Sequence, residues 1–398
     1  MKVEELTKGR DILDVWFESG SSWNAVMRER SGGKDFPVDL YLEGSDQHRG
    51  WFQLSLLCGL GMTGRAPMKE ILTHGFMVDK DGHKLSKSKG DTIEDLFKTY
   101  GADVLRWWVC SLAYEGDVKV DDSFFALAGE SYRKVRNTLR FLLSNLSDFD
   151  PKTNGVDLAS ISPTSLEAWV LGEYNRVAEG VARAFERYEF RRAHDLLYTF
   201  CNETLSSVYL AAVKDRLYCD APDGERRRRA QAALHAMAEG LCTLLAPVLC
   251  HTADEAYRAL KGVDPKDADA CVHLDEFVRS IPAPAFDASA WEAAMGYRHA
   301  GLKALEETKG SGGVENPLDA KLVVGGDIAK ALGAFDPVDL ADLCGVSLVE
   351  LAGAEGVAVV DLREQPRCER SWKRDGTVEE RSDGGMLSER DARALGLV

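Results

Sequence analysis

The chain has 398 residues, of which 45% are hydrophobic and 29% charged, a composition typical of a folded globular protein and not of a disordered or fibrous one. Single cores stop growing near ~250–300 residues, so we expect two or three domains. The sequence has no long apolar run, its first ten residues are rich in charge, and its net charge is −16. We therefore expect no membrane span, no secretory leader and no broad coating of nucleic acid, which would have to bind at local basic patches.

The segment from Asp14 to about Leu112 alternates short strand-like runs with helical stretches, which indicates an α/β unit. A strand is predicted around Leu40–Leu42, followed by a turn at Gly44 and a helix. The apolar residues that recur at helical spacing in this helix are Trp51, Leu54, Leu57 and Cys58.

A second strand, "EILTHGFMV", leads into the loop "DKDGHKLSKSKGDT", which is bounded by Gly82 and Gly90. A helix is predicted to start near Asp91 or Thr92, because acidic residues fill its first turn. A further helix, "DVLRWWVCSLAY", follows the break at Gly101.

From Asp121 to Leu260 the sequence shows long amphipathic helices, which predict an all-helical bundle. The stretch from Cys271 to Ala290 contains two prolines and is interpreted as a connection. A helix, a small α+β unit and a polar, glycine-rich tail are expected after it. Nine cysteines occur without a Cys-x-x-Cys pair, which favours a reducing cytoplasm and small core residues.

The loop Lys84–Ser88 contains two lysines three residues apart, interleaved with hydroxyl side chains. Such a loop could close over a polyphosphate and place Lys84 and Lys87 where negative charge develops during attack on an α-phosphate. The alternative is a solvated, charged loop.

The segment Glu43–Trp51 lies at the carboxyl end of a predicted strand, where α/β sheets bind their ligands. Gly44 allows close backbone approach, and Asp46 can accept hydrogen bonds from ribose hydroxyls or an amino group. The alternative is a helix start, with Ser45 or Asp46 as the cap and Trp51 merely packing.

Five segments, in this order and spacing, resemble the later part of bacterial isoleucyl-tRNA synthetases, which are class I aminoacyl-tRNA synthetases. They are "DVWFESG", "YLEGSDQHRGWF", "LTHGFMVDKDGHKLSKSKGDT", "GADVLRWWV" and "SYRKVRNTLRFLLSNLSDFDP". The resemblance identifies Lys84–Ser88 with the mobile Lys-Met-Ser-Lys-Ser loop of the class, with Leu85 in place of Met.

The resemblance implies a role for each matching residue. Lys84 and Lys87 would be catalytic, with Lys87 binding ATP phosphates, and His74 and Gly75 would lie near the adenine. Trp51 would wall the pocket for an aliphatic side chain. The residues implied to contact the aminoacyl-adenylate are Glu43, Gly44, Asp46, Gln47 and Trp51.

The helical part resembles the family's anticodon-binding bundle. Arg133, Arg136 and Arg140 fall on one helical face and could meet tRNA phosphates, although a solvated face is the alternative. A second basic run, Arg226–Arg229, opens a helix, where cations are unfavourable, and this mildly favours an external anionic partner.

Two departures from the family stand out. The family's zinc site uses two Cys-x-x-Cys pairs, whereas the tail here offers Cys368, Ser371, Ser388 and Asp391, so we expect no zinc, and a protease-sensitive tail. The His-Ile-Gly-His half of the catalytic domain and the editing domain have no counterpart, so we expect a partner chain or an unstable first unit.

Together these patterns predict a partial Rossmann-type α/β catalytic unit at 1–118, an all-α anticodon-binding bundle at 119–280, and a small α+β carboxy-terminal unit at 281–398. The implied function is isoleucine–tRNA ligase activity, using ATP with Mg²⁺, isoleucine and tRNA(Ile) in the cytoplasm, by a portion inactive without a separate amino-terminal half. The alternatives are a tRNA-binding module that does not adenylate and a nucleotidyltransferase with the same lysine loop.

Overall fold

The computed structural model describes residues 3–79, 81–83, 93–264, 266–267, 269–353 and 355–397. The predicted lysine loop, Lys84–Ser88, lies outside them. Residues 1–95 and 112–124 form one unit, and residues 96–111 and 125–398 form a second. Residues 96–111 thus group with the second unit, although they fall within the range 1–118 that the sequence assigns to the first domain.

The first unit alternates helices and strands, and the predicted α/β pattern is confirmed. Its described elements are a 3-10 turn (Val3–Glu5), α1 (Val15–Gly20), a π-helical segment (Trp23–Arg30), β1 (Val38–Gly44), a 3-10 turn (Ser45–Arg49), α2 (Trp51–Thr63), β2 (Met68–His74), β3 (Met77–Val78) and β4 (Val118–Lys119). Strands β1 and β2 pair in parallel, as do β3 and β4. The parallel pairing of β1 and β2 needs the crossover that α2 supplies.

Helix α2 buries small residues as well as apolar ones. Its buried residues are Phe52, Ser55 and Gly59, whereas Leu57 is 58% exposed. Small residues allow the close contacts here, because a Cβ on Gly59 would lie 2.6 Å from Cδ of Pro67. The predicted helix is therefore confirmed, and three of its four apolar residues at helical spacing, Trp51, Leu54 and Cys58, are half-buried.

The second unit is helical through most of its length, and the predicted bundle is confirmed. Helix α3 (Ile93–Tyr100) leads into it, and the helices that follow are α4 (Ala102–Cys110), α5 (Asp122–Ser144), α6 (Leu166–Glu186), α7 (Phe190–Thr199), α8 (Leu210–Cys219), α9 (Glu225–Leu245) and α10 (Cys250–Lys261). A π-helical segment, Phe200–Tyr209, joins α7 to α8. Among the described helices, none is long and apolar enough to cross a membrane.

The motif "GADVLRWWV" forms α4 and fastens it to the start of α10. The Asp103 carboxylate accepts hydrogen bonds from the backbone N–H (2.7 Å) and the hydroxyl (2.6 Å) of Thr252 in the first turn of α10. Arg106 donates to the carbonyls of Pro247 and Val248 just before that turn, at 2.8 and 2.9 Å. A carboxylate at a helix amino terminus satisfies otherwise unpaired N–H groups. For this reason Asp103, together with Arg106, holds α4 against the start of α10.

A small α+β unit follows the bundle, as predicted. After a 3-10 turn (Val272–Leu274) and the predicted connection come α11 (Ala288–Gly310), a 3-10 turn (Pro317–Asp319), β5 (Ala320–Gly325), α12 (Gly326–Ala331), α13 (Pro337–Cys344), β6 (Leu348–Leu351) and β7 (Gly356–Asp361). The strand order is β6-β5-β7, with β5 parallel to β6 and antiparallel to β7.

The tail forms a small structure of its own. It contains the antiparallel pair β8 (Glu379–Glu380) and β9 (Met386–Leu387) and the helix α14 (Glu389–Ala394). Cys368, Val378, Leu387 and Ala392 form its core. Most of the cysteines are small core residues, as expected; the buried ones are Cys110, Cys201, Cys219, Cys242, Cys344 and Cys368.

Candidate functional site

The carboxyl ends of β1 and β2 bring the first group of predicted site residues together. In the parallel register Glu43 pairs with Thr73, and Gly44 pairs with His74. The segments that leave the two strands therefore start side by side at one sheet edge, which is where open α/β sheets bind ligands. Sequence reasoning had placed these residues in two separate segments, and the strand register joins them.

Gly44 lies close to the side chain of Asp46. A Cβ at this position would lie 2.9 Å from Oδ1 of Asp46 and 3.9 Å from Cε1 of His74. Its backbone is extended, with φ −64°, so no unusual conformation requires glycine there, and the exposed Asp46 side chain could move aside. Glu43 accepts a hydrogen bond from the Gly44 N–H at 3.1 Å. Glu43 and Asp46 are exposed, so two carboxylates flank the buried Gly44 at this edge.

Gln47 and Trp51 are held by local contacts. The Gln47 side-chain oxygen accepts a hydrogen bond from the Trp51 N–H at 3.0 Å, so Gln47, and not Ser45 or Asp46, satisfies the start of α2. The Trp51 ring stacks on Tyr41, with centroids 4.3 Å apart, and its indole N–H donates to the Ser19 carbonyl at 3.0 Å. The indole is thus fixed in orientation.

His74 and Gly75 are positioned by the segment before β4. The His74 Nδ1 lies 2.8 Å from the Gly75 carbonyl oxygen, which makes Nδ1 the protonated nitrogen and leaves Nε2 as an acceptor. The Gly75 N–H donates to the Tyr114 carbonyl at 2.9 Å. A Cβ on Gly75 would lie 2.1 Å from the Gly116 backbone, so only glycine fits there.

Arg133, Arg136 and Arg140 are exposed on α5, as the predicted stripe requires. No ion pair joins any of them to another described residue, unlike most arginines of the bundle. Arg136 and Arg140 line a cleft of about 480 Å³ formed by α5, α9 and α10. Phe149 and His235 lie in the same cleft with ring centroids 5.9 Å apart. Burial lowers the pKa of His235, which keeps this wall uncharged near neutral pH.

The second basic run, Arg226–Arg229, is engaged inside the protein, so the interpretation that it favours an external anion is wrong. Arg227 donates to Asp148 at 2.6 Å, and Arg229 donates to Glu167 at 2.7 Å. Arg226 pairs with the Asp342 carboxylate at 3.1 Å. These acids lie far along the chain, and for that reason the local sequence does not show them as partners.

Arg216 is the centre of a buried ion cluster. Its guanidinium is fully buried and pairs with Glu167 at 3.1 Å, Asp339 at 2.6 Å and Asp342 at 2.9 Å. The cluster joins α6, α8 and α13. It therefore links the bundle to the α+β unit through charge and not only through apolar packing.

Trp372 is an exposed aromatic residue that sequence reasoning missed. It is 55% exposed and has a left-handed backbone, with φ 62°, which is strained for a bulky residue. The Arg367 guanidinium lies 5.7 Å from the ring centroid. The local sequence is an aromatic residue between basic ones, "RSWKR", but Lys373 and Arg374 pair with Asp342 and Asp319.

Known protein families and relatives match most of this chain. Residues 1–121 match the family "tRNA synthetases class I (I, L, M and V)", and residues 167–324 match the family "Anticodon-binding domain of tRNA ligase". The isoleucine–tRNA ligase of Brevibacillus brevis is 40% identical over 92% of this chain and 40% of its own length. The corresponding enzymes of Petrotoga mobilis and Campylobacter curvus are each 38% identical, over 98% and 100% of this chain, and over 44% and 42% of their own lengths.

The chain thus spans less than half the length of these relatives. The resemblance seen in the sequence is confirmed, and it extends over nearly every residue. The two families also follow one another along the chain in the order of the α/β unit and the helical bundle. On these grounds the chain belongs to the class I tRNA synthetases of the isoleucine, leucine, methionine and valine group.

Proposed function

We propose that the chain supplies the second half of the adenylation site and the anticodon-binding bundle of an isoleucine–tRNA ligase, acting in the cytoplasm. The observation that carries the proposal is the strand register that sets Glu43 and Gly44 beside His74 at one sheet edge. The similarity to isoleucine–tRNA ligases over most of the chain supports isoleucine as the amino acid.

In the proposed reaction, a carboxylate oxygen of isoleucine bonds to the ATP α-phosphorus, and the bond to the bridging oxygen breaks as pyrophosphate leaves. A ribose hydroxyl at the tRNA terminus then bonds to the carbonyl carbon, releasing AMP. ATP with its Mg²⁺ would supply the activated adenylyl group. The chain's own residues bind and orient, because a near-attack geometry lowers the barrier without covalent catalysis.

Each residue at the sheet edge has a role that its geometry supports. The exposed carboxylates of Glu43 and Asp46 would hold the α-ammonium of isoleucine, and Gly44 would let the adenylate approach the backbone. The fixed indole of Trp51 would wall the aliphatic pocket, and Gln47 would donate through its NH₂ group. His74, with Nε2 as an acceptor, and the adjoining Gly75 would face the adenine.

The two lysines complete the proposed site. Lys87, assisted by Lys84, would neutralise charge on the departing pyrophosphate. Both lie outside the described residues, so their role rests on the sequence motif. The attraction between the lysine ammonium groups and the phosphates would be strongest when water is excluded from the site.

For tRNA, the proposal places the anticodon arm along α5. Arg133, Arg136 and Arg140 carry positive charge on one face, unpaired by any described acid, and the cleft beside them has an aromatic wall of Phe149 and His235. Cations beside an aromatic surface suit phosphates next to an unstacked base.

The proposal also includes a separate amino-terminal half as a partner. The first unit leaves large apolar side chains exposed on β1 and α2, including Leu42 at 53%, Leu57 at 58% and Met62 at 59%. Large apolar side chains exposed on a strand and its crossover helix are what an interface with a second chain would bury.

Pyrophosphate exchange tests the adenylation proposal. The purified chain should show no isoleucine-dependent exchange of pyrophosphate into ATP, and exchange should appear when the amino-terminal half of a relative is added. Changing Lys87→Ala in the reconstituted pair should abolish it. Exchange by the chain alone would contradict the requirement for a second half. Normal tRNA binding with no exchange in the reconstituted pair would favour a tRNA-binding module.

Salt-dependent binding tests the tRNA surface. Changing all three α5 arginines to Ala should weaken tRNA(Ile) binding and reduce the slope of log affinity against log salt by about 2–3 units, or nearly one for each phosphate that the variant no longer neutralises. The matched control is Arg176→Ala with Arg183→Ala, since both are exposed on α6 but pair with acids of their own helix. Equal effects of the two sets would mean that the α5 stripe is merely solvated.

A further inference from the structure

The tail brings three side chains, from two separate segments, together around one carboxylate. The same oxygen of Asp391, Oδ2, accepts hydrogen bonds from the Cys368 thiol at 2.9 Å, the Ser371 hydroxyl at 2.6 Å and the Ser388 hydroxyl at 2.9 Å. Cys368, Ser388 and Asp391 are buried. These are the positions at which the resemblance implies a zinc site, and they still meet at a point.

The residues at these positions do not fit zinc. A structural zinc site takes about four thiolate, imidazole or carboxylate ligands. Here one thiol and one carboxylate are present, the other two groups are neutral hydroxyls, and all three donors are already directed at the carboxylate. These groups therefore suit hydrogen bonding to a carboxylate anion and not coordination of a metal ion.

The other oxygen of Asp391 faces arginines. Arg390 Nη2 lies 3.2 Å from Oδ1, and Arg370 Nε lies 3.8 Å from it. Oδ2 thus accepts from three proton donors and Oδ1 faces two guanidinium groups, which are the partners that suit a carboxylate anion, so both oxygens are paired.

We propose that the Asp391 carboxylate has taken over the organising role of a metal ion. The segments 368–371 and 388–391, here called the knuckle, then fold against each other without a metal. A tetrahedral zinc ion draws four side chains inward as anions. The carboxylate instead draws in three proton donors, and two arginines balance its charge. Both arrangements fix the same two chain segments, 368–371 and 388–391, against each other.

The knuckle is also fastened to the rest of the second unit. Arg390 pairs with Asp215 of α8, and Lys373, which is buried, pairs with Asp342 of α13 at 2.7 Å and with Asp215 at 3.1 Å. Buried charge-assisted bonds of this kind fix orientation strongly. We therefore expect a protected tail, in place of the protease-sensitive tail inferred from its size.

Metal content and limited proteolysis of the full chain test the proposal. The purified protein should contain no stoichiometric zinc, and chelator should leave its thermal unfolding unchanged. Asp391→Asn keeps the side-chain shape but removes the charge, and it should speed trypsin cleavage between Arg363 and Gly385 by about tenfold or more. The matched control is Asp383→Asn, because Asp383 is an exposed aspartate of the same tail.

A gain-of-metal variant tests the geometry directly. Replacing Ser371→Cys, Ser388→Cys and Asp391→Cys together leaves four thiols at the meeting point, and this variant should bind one zinc per chain and become sensitive to chelator. Failure to bind zinc would overturn the claim that the knuckle retains metal-site geometry. Zinc in the unchanged protein that is lost with Cys368→Ala would overturn the proposal, as would equal cleavage of Asp391→Asn and Asp383→Asn.

Discussion

Arg216→Met isolates the energetic contribution of the buried ion cluster. The substitution retains an apolar stem of similar length but leaves Glu167, Asp339 and Asp342 without the guanidinium that joins them. Removing one partner of a buried pair costs about 3–5 kcal/mol, because an uncompensated charge remains. The carboxylates keep other partners, with Arg229 2.7 Å from Glu167 and Lys373 2.7 Å from Asp342. We therefore expect Arg216→Met to lower the free energy of unfolding by about 3 kcal/mol, near the lower end of that range.

Urea unfolding followed by far-ultraviolet circular dichroism measures this loss, since helices dominate the second unit. With an m-value of about 3 kcal/mol/M, the midpoint should fall by about 1 M. The control is Lys330→Met, whose ion pair with Asp327 has both side chains more than 80% exposed and should contribute about 0–1 kcal/mol. A midpoint shift for Arg216→Met no larger than that of the control would refute the reasoning.

Two further predictions concern other parts of the molecule. Gly75→Ala should destabilise the first unit by more than about 3 kcal/mol, since the new methyl group would lie 2.1 Å from the Gly116 backbone; unchanged thermal unfolding of this unit would contradict that close approach. Burial raises the pKa of Asp215, but the Arg390 hydrogen bond and the Lys373 charge outweigh it, so the pKa falls well below the usual 3.8. The stabilisation from Asp215 should thus be complete above pH 3.8 and decline as pH falls further. The difference in unfolding free energy between the unchanged protein and Asp215→Asn should shrink on acidification, and a constant difference would count against the pairing.

Sequence patterns predicted most of the fold because it follows local rules. The strand ending at Gly44 and the helices of the bundle are set by short-range periodicity and by turn residues, and both were found. The apolar spacing in α2 predicted the helix but not the burial of Ser55 and Gly59, which pack closely where larger side chains could not. Hydrophobicity alone does not register this kind of fit.

The long-range polar contacts could not be predicted. Arg216 lies 49 residues from Glu167 and 126 from Asp342, so no local pattern connects them. The same holds for Arg226–Arg229, whose charge looks free in the sequence and is paired in the fold. The roles of Glu43, Asp46, Trp51 and the lysines remain predictions, although the strand register now gives the first group a common location.

The Arg216 cluster also bears on how the chain folds during synthesis. Arg216 leaves the ribosome long before Asp339, which follows 123 residues later. At about 5–20 residues per second, that interval lasts roughly 6–25 s, during which the guanidinium has only its earlier partner. Until the carboxy-terminal segment emerges, the nascent bundle would then contain the Arg216 guanidinium with only Glu167 to neutralise it. Cotranslational chaperones would meet an intermediate whose last stabilising step comes from the end of the chain.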